Sequence, residues 1–139
     1  MRVVIDMNTI IGHVLWEDSV PNRAVDQAFR EGKVLRSNNT LYALRTLLLS
    51  TRFDKYVTQE ARMKFLELYE QLTIPIEIQD KLRICEDPNH NIVLELAYNG
   101  KPVHVISSQR QLLEKQGFAE HVKIVTPADF LTLSKAVRS

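Results

Sequence analysis

The sequence predicts an α/β protein with three α/β/α layers around a central, mostly parallel sheet of about five strands. Three observations predict it. Segments of strand and helix character alternate along the 139 residues, the pattern of a parallel sheet covered by helices. The first apolar run, Val3-Val4-Ile5, is continuous rather than alternating, as in a strand buried on both faces. It stops at one carboxylate, Asp6, and ligand sites in open α/β sheets lie just outside the carboxyl ends of such strands.

The elements follow in order. Residues 2–6 form the first strand, and 9–16 a short helix with Ile10, Ile11, Val14 and Leu15 apolar. Asp18-Ser19-Val20-Pro21 breaks it, and a second helix runs from about Asn22 to Arg30, ended by Gly32. Lys33 to Ser37 is a short strand. Asn38 or Asn39 then caps a helix carrying Leu41, Leu44, Leu47 and Leu48. Thr58 caps the next helix, with Glu60 in its first turn and Ala61, Phe65, Leu68, Tyr69 and Leu72 as its inner stripe. Residues 74–78 read as a strand whose Pro75 marks a sheet edge. Asp87-Pro88 opens a helix that ends near Asn99-Gly100. Residues 103–107 form a buried strand, and Ser108 to Gln111 fit a capping box opening another helix. The last strand is 122–125, and Thr126-Pro127 opens a terminal helix with Phe130, Leu131 and Leu133.

Composition limits the function classes. The length suits one domain, 1–139, with a proper core. With 18 basic and 17 acidic residues, net charge gives no nucleic-acid footprint, although a local basic groove is compatible with that total. One cysteine, Cys85, allows no internal disulfide and suits a reducing compartment. No signal peptide carries a carboxylate such as Asp6 in its apolar run, and no run reaches membrane-spanning length. The expectation is a cytoplasmic protein.

Five segments in the same order carry a family resemblance. Val4-Ile5-Asp6-Met7-Asn8-Thr9 resembles the first motif of PIN-domain nucleases. Thr51-Arg52-Phe53-Asp54-Lys55-Tyr56 resembles the Arg-Phe-basic-Tyr junction of a bacterial PIN subgroup of toxin components. Cys85-Glu86-Asp87-Pro88 with Leu94-Glu95-Leu96-Ala97 is similar to its Asp-Pro segment and helix. Val105 to Leu113 sits where the family has a Thr-Gly-Asp-Arg-Asp-Leu-Leu type sequence, and Val125 to Leu131 resembles its closing strand and helix. The resemblance implies a PIN-like fold and a cluster of carboxylates at the strand ends. Such a cluster would bind one or two Mg²⁺ or Mn²⁺ ions for RNA cleavage, since hard cations take anionic oxygen ligands. It also implies RNA or an antitoxin-like protein as partner, and a homodimer as a further possibility.

The expected acids are mostly absent. Asp6 is the first, the remaining acid and the one metal-ligand candidate. The second falls on Ala43, and no Asp or Glu occurs between Glu31 and Asp54. The third falls on Asn91, beside His90. The fourth falls on Gln109, with Gln111 as its neighbour, and Leu96 to Leu113 contains no carboxylate. Asn and Gln still offer a carbonyl oxygen, but a single carboxylate binds Mg²⁺ feebly.

Asn8, Asp87, His90, Ser107 and Ser108 are expected to line the cleft, with Arg45 and Arg110 as candidate nucleic-acid contacts. Each has a plainer reading. Asn8 and Thr9 can cap the first helix, Asp87 caps another, and Ser107, Ser108 and Gln111 fit helix capping. Arg36, Arg45, Arg52 and Lys55 can be solvated surface. The functional expectation is a catalytically impaired PIN-like protein that binds RNA or a protein partner. The alternatives are an active ribonuclease with a non-standard ligand set and a strand-end Asp phosphatase of haloacid-dehalogenase type. In the phosphatase Asp6 would be the nucleophile, but the chain lacks that family's late acidic pair.

Overall fold

The computed structural model describes residues 1–138. The chain order is β1 (Arg2–Ile5), α1 (Met7–Leu15), α2 (Val20–Glu31), β2 (Lys33–Arg36), α3 (Asn38–Leu48), α4 (Gln59–Leu72), β3 (Ile74–Pro75), α5 (Pro88–Gly100), β4 (His104–Ile106), α6 (Arg110–Leu113), β5 (Lys123–Val125) and α7 (Pro127–Arg138), with a 3-10 turn at Thr51–Phe53 before α4. The strands form one five-stranded sheet in the order β3-β2-β1-β4-β5. Every pairing is parallel. β1 is central, with Val3 opposite both Val34 and His104, and Val4 opposite Val105. The proline-bearing strand sits at the edge, where its missing N–H costs no ladder bond.

The continuous apolar runs are buried as a two-sided sheet requires. Val3, Val4, Val34, Leu35, Val105, Ile106 and Ile124 are all core residues. Helix α2 packs on α1 and α7, α5 packs on α3 and α6, and α1 meets α3. Asp6 leaves the central strand and enters α1 at the carboxyl end of the sheet.

Several boundaries differ from the sequence reading, each for a local reason. Helix α1 starts at Met7 because Asp6 itself is the N-cap, accepting from the Thr9 N–H at 2.7 Å. Asn8 and Thr9 are inside the helix. Helix α2 starts earlier than expected, because Ser19 caps it and Pro21 sits in its first turn, where no donor is lost. The cap of α3 is Ser37, not Asn38 or Asn39, in a reciprocal box with Thr40. β3 ends at Pro75, short of 78, and the chain from Ile76 to Cys85 runs without regular structure. Helix α6 has no capping box from Ser108. Its first turn is held instead by the Ser107 hydroxyl, which accepts from the Gln109 N–H at 3.0 Å.

Two glycines act differently from simple helix stops. Gly32 follows α2 in extended backbone, and a Cβ there would meet the Met1 carbonyl oxygen at 2.6 Å. Gly100 remains inside α5, and Lys101 takes the left-handed cap position with φ 52°.

The inner face of α4 is also rotated from the expected stripe. Tyr69 and Leu66 are buried, whereas Ala61, Leu68 and Leu72 are exposed. The residue that turns the helix is Arg62, fully buried. Its guanidinium donates to the carbonyls of Leu48 at 2.8 Å and Ser50 at 3.0 Å and pairs with Asp54. Carbonyls at the end of α3 that lack helical partners are thereby satisfied from a second helix.

Candidate functional site

Asp6 is 2% exposed at the end of β1. Its Oδ1 accepts from Thr9 N–H, and its Oδ2 accepts from the Ser107 hydroxyl at the end of β4. Both oxygens are therefore engaged from within the protein. Burial pushes the Asp6 carboxyl above its ordinary value, against the opposing effects of the Ser107 and Thr9 hydrogen bonds and the His90 charge.

A small cleft of about 100 Å³ opens beside it, lined by Asp6, Asn8, Leu47, Asp87, Asn89 and His90 among others. Asp87 caps α5, accepting from Asn89 N–H at 2.9 Å, and so sets the first turn of that helix at the cleft. His90 follows one turn in. Its Nδ1 lies 2.9 Å from Gln111 Oε1, and its Nε2 lies 4.0 Å from Asp87 Oδ2. An amide oxygen only accepts, so the Nδ1–H donates to Gln111 and the Nε2 edge of the ring turns toward Asp87. The cleft is thus a carboxylate, an oriented imidazole, a capping carboxylate and two asparagines, walled by Leu47.

The structure brings together Asp6, Asn8, Asp87, His90 and Ser107, and it corrects other expectations. On α5 the residue in the cleft is His90, not Asn91. The Asn91 amide oxygen accepts from the N–H groups of Ile84 and Cys85 at 3.0 and 2.8 Å, and its nitrogen donates to the Cys85 carbonyl at 2.7 Å. Two further residues on the same face repeat the arrangement: Glu95 accepts from Leu82 N–H, and Asn99 accepts from Gln79 and Asp80 N–H. This ladder at four-residue spacing pins the irregular 79–85 segment along α5.

Ala43 lies one turn before Leu47 on the same face of α3 and brings no ligand atom. Gln109 contributes its backbone N–H to Ser107, while Gln111 reaches the cleft through His90. Ser108 is exposed, and it is Ser107 rather than Ser108 that bonds Asp6. Arg110 pairs with Glu114 at 2.9 Å. Arg45 lines a different groove, between α3 and α4, beside Glu67 and Glu70. Neither arginine faces Asp6. Cys85 lines none of this, and burial pushes its thiol up, away from thiolate chemistry.

Sequence reasoning missed Arg62, Leu47 and the His90–Gln111 pair. The signal for the pair was weak, because contact across 21 residues leaves no periodicity.

The Mg²⁺ or Mn²⁺ ions implied by the resemblance do not fit this donor set. Among the described residues no group of three His, Cys, Asp or Glu side chains is placed to hold a metal ion. The buried carboxylate of the cleft, Asp6, already accepts two internal hydrogen bonds. Octahedral Mg²⁺ wants near-ideal oxygen geometry, which Ala43, Leu47 and an imidazole do not supply.

With the geometry set out, comparison with known proteins decides the family. The PIN-domain family profile matches residues 2–111. The chain belongs to the PIN-domain family. It is 25% identical over 140 residues to an uncharacterized protein of Methanocaldococcus jannaschii, covering 94% of this chain and 90% of that protein. The fold of this PIN domain is similar to a chain of the crystal structure of VapBC2 from Rickettsia felis bound to a DNA fragment from their promoter. That match has a TM-score of 0.60 at 10% identity and covers 91% of this chain and 98% of that one. The five-stranded parallel sheet and its helices match the PIN fold. Among the described residues no helix is long and apolar enough to cross a membrane.

Proposed function

We propose that this PIN domain acts by binding RNA at and around the Asp6 cleft, without the metal-dependent cleavage of its family. The observation that carries this reading is the double engagement of Asp6 by Thr9 and Ser107 in a cleft walled by His90 and Leu47, with Ala43, Asn91 and Gln109 at the positions where the resemblance expects further acids. Fewer carboxylates in a cleft mean less repulsion toward a phosphate backbone. The side-chain amides of Asn8 and Asn89 add donors at the same place. The test is cleavage of single-stranded RNA with and without Mn²⁺, beside an Asp6→Asn control. No metal-dependent cleavage is expected, whereas cleavage that needs both Mn²⁺ and Asp6 overturns the reading in favour of an active ribonuclease with unusual ligands.

A second reading rests on a separate surface. Phe29, Phe65, Leu68, Tyr69 and Leu72 line a groove between α2 and α4, and Leu68 and Leu72 are 51% and 56% exposed. Large apolar side chains left outside a helix favour a protein contact. An antitoxin-like chain is the partner proposed, in keeping with the fold's similarity to a chain of VapBC2 from Rickettsia felis. Co-expression with the product of an adjacent gene, using wild type and Leu68→Glu/Leu72→Glu, tests it. Co-purification lost in the variant supports this reading, and co-purification unaffected by it places the contact elsewhere.

A further inference from the structure

The 51–56 turn and the end of α1 carry an arrangement the Asp6 cleft does not use. Arg52 places its guanidinium 4.6 Å from the centre of the Phe53 ring, and Lys55 its ammonium 5.1 Å from the centre of the Tyr56 ring. Trp16 stands edge-on to Tyr56, with ring centres 5.1 Å apart, and both rings are 49% exposed. Both cations are exposed as well.

The turn is built rather than loose. Arg62 is fully buried beneath it, bonding the carbonyls of Leu48, Ser50 and Val57, and takes up the one acid of the turn, Asp54. A fully buried guanidinium is costly unless every bond is made, so this backbone is held in one shape. Leu47, a wall of the Asp6 pocket, precedes the turn in the chain, while Trp16 closes α1 at the end opposite Asp6.

We propose that Trp16, Arg52, Lys55 and Tyr56 form a stacking-and-charge platform for single-stranded RNA, separate from the Asp6 cleft. This rests on the RNA-binding reading above and names the surface that carries it. Exposed aromatic rings interleaved with cations suit unpaired nucleotides, because every base has a face to stack and every linkage a phosphate to pair. A duplex hides its bases and gains only the charge contacts. Glu17 and Asp18 follow Trp16 and are exposed. They repel phosphates on that side, so the backbone of the RNA runs past Arg52 and Lys55 while its bases turn toward Trp16.

Trp16 is the only tryptophan of the chain, so its fluorescence reports the platform directly. The experiment titrates the full chain with a ten-nucleotide oligouridylate, following tryptophan quenching and the anisotropy of labelled RNA across salt concentrations. Wild type is expected to bind with quenching. Trp16→Ala weakens binding about tenfold, within the range for loss of one stacked base. Trp16→Tyr restores most of the affinity. Arg52→Ala/Lys55→Ala lowers the salt slope by roughly 1.4 for two phosphates on a single strand. Circular dichroism confirms that these surface variants fold. If wild type binds with no quenching and the variants bind equally, the platform is overturned while the RNA-binding reading stands, and the exposed rings are left to a protein contact. Equal affinity for a duplex of the same length overturns stacking as the mode. No RNA binding by wild type at low salt overturns both readings.

Discussion

The Ser107 hydroxyl donates to the Asp6 carboxylate and ties the end of β4 to the end of β1. The same oxygen of Ser107 accepts from Gln109 N–H, so the strand ends and the start of α6 share one buried node. That node gives each oxygen of the buried Asp6 carboxyl a partner: one caps α1 and the other meets a hydroxyl.

Asp6→Asn is expected to stabilise the protein at neutral pH. The folded-state pKa of Asp6 lies above its unfolded value, because desolvation disfavours the charge. The folded protein therefore holds the proton longer as pH rises. Stability is greatest below the unfolded pKa and falls until the folded carboxyl has ionised. Asparagine keeps an acceptor for Thr9 N–H and has no charge to desolvate. Thermal melts should show Asp6→Asn higher than wild type by a few degrees at pH 7, with the gain shrinking toward pH 4. Asp6→Ala instead leaves Thr9 N–H and the Ser107 hydroxyl unpaired and should cost about 1–3 kcal/mol.

Restoring acids discriminates between two positions on α5. His90 faces the cleft and Asn91 faces the 79–85 segment. Ala43→Glu combined with His90→Asp should raise Mn²⁺ affinity measurably by calorimetry. Ala43→Glu combined with Asn91→Asp should not. It should instead lower stability by about 1 kcal/mol, because the amide donor to the Cys85 carbonyl is lost. Equal metal gains in the two variants would contradict the placement of His90 in the site.

Arg62→Met should destabilise the fold by about 2–4 kcal/mol, since the buried Leu48 carbonyl loses its donor and Ser50 and Val57 each lose one. Urea denaturation measures the loss. Hydrogen exchange should localise the loosening to residues 48–57 before global unfolding, and uniform exchange across the chain would show that Arg62 does not hold the turn.

His104 should make the protein less stable in mild acid. Burial lowers its pKa, with Lys123 adding to the effect, and its ring stands edge-on to Phe130. The unfolded chain then binds the proton first as pH falls. Stability present above the unfolded pKa near 6.5 declines down to the folded value and levels off below it. His104→Phe should flatten this decline in urea midpoints compared at pH 7.5 and 5.5.

Much of the fold was legible in the sequence because the relevant forces are local or periodic. The two-sided burial of the sheet shows in the unbroken run Val3-Val4-Ile5, and Pro75 marks the edge through its missing donor. Thr58 and Asp87 announce their helices because a cap acts within three residues. Capping failed as a guide where two hydroxyls or amides compete. Ser37 displaced Asn38 because its partner Thr40 completes a reciprocal pair, and Gln111 left its expected capping role for a histidine on another helix.

By itself the sequence determined the α/β order, a first strand buried on both faces, the position of Asp6 at its carboxyl end, and the acid-free stretches around it. These follow from burial patterns and from residue identities, which no packing can alter. The tertiary structure decided which neighbours of Asp6 meet it. A shift of one residue on α5 exchanges His90 for Asn91, because successive helical side chains point about 100° apart. It also decided that α4 turns inward on Arg62 rather than on Leu68 and Leu72, because the carbonyls at the end of α3 needed a donor that only a distant segment supplied.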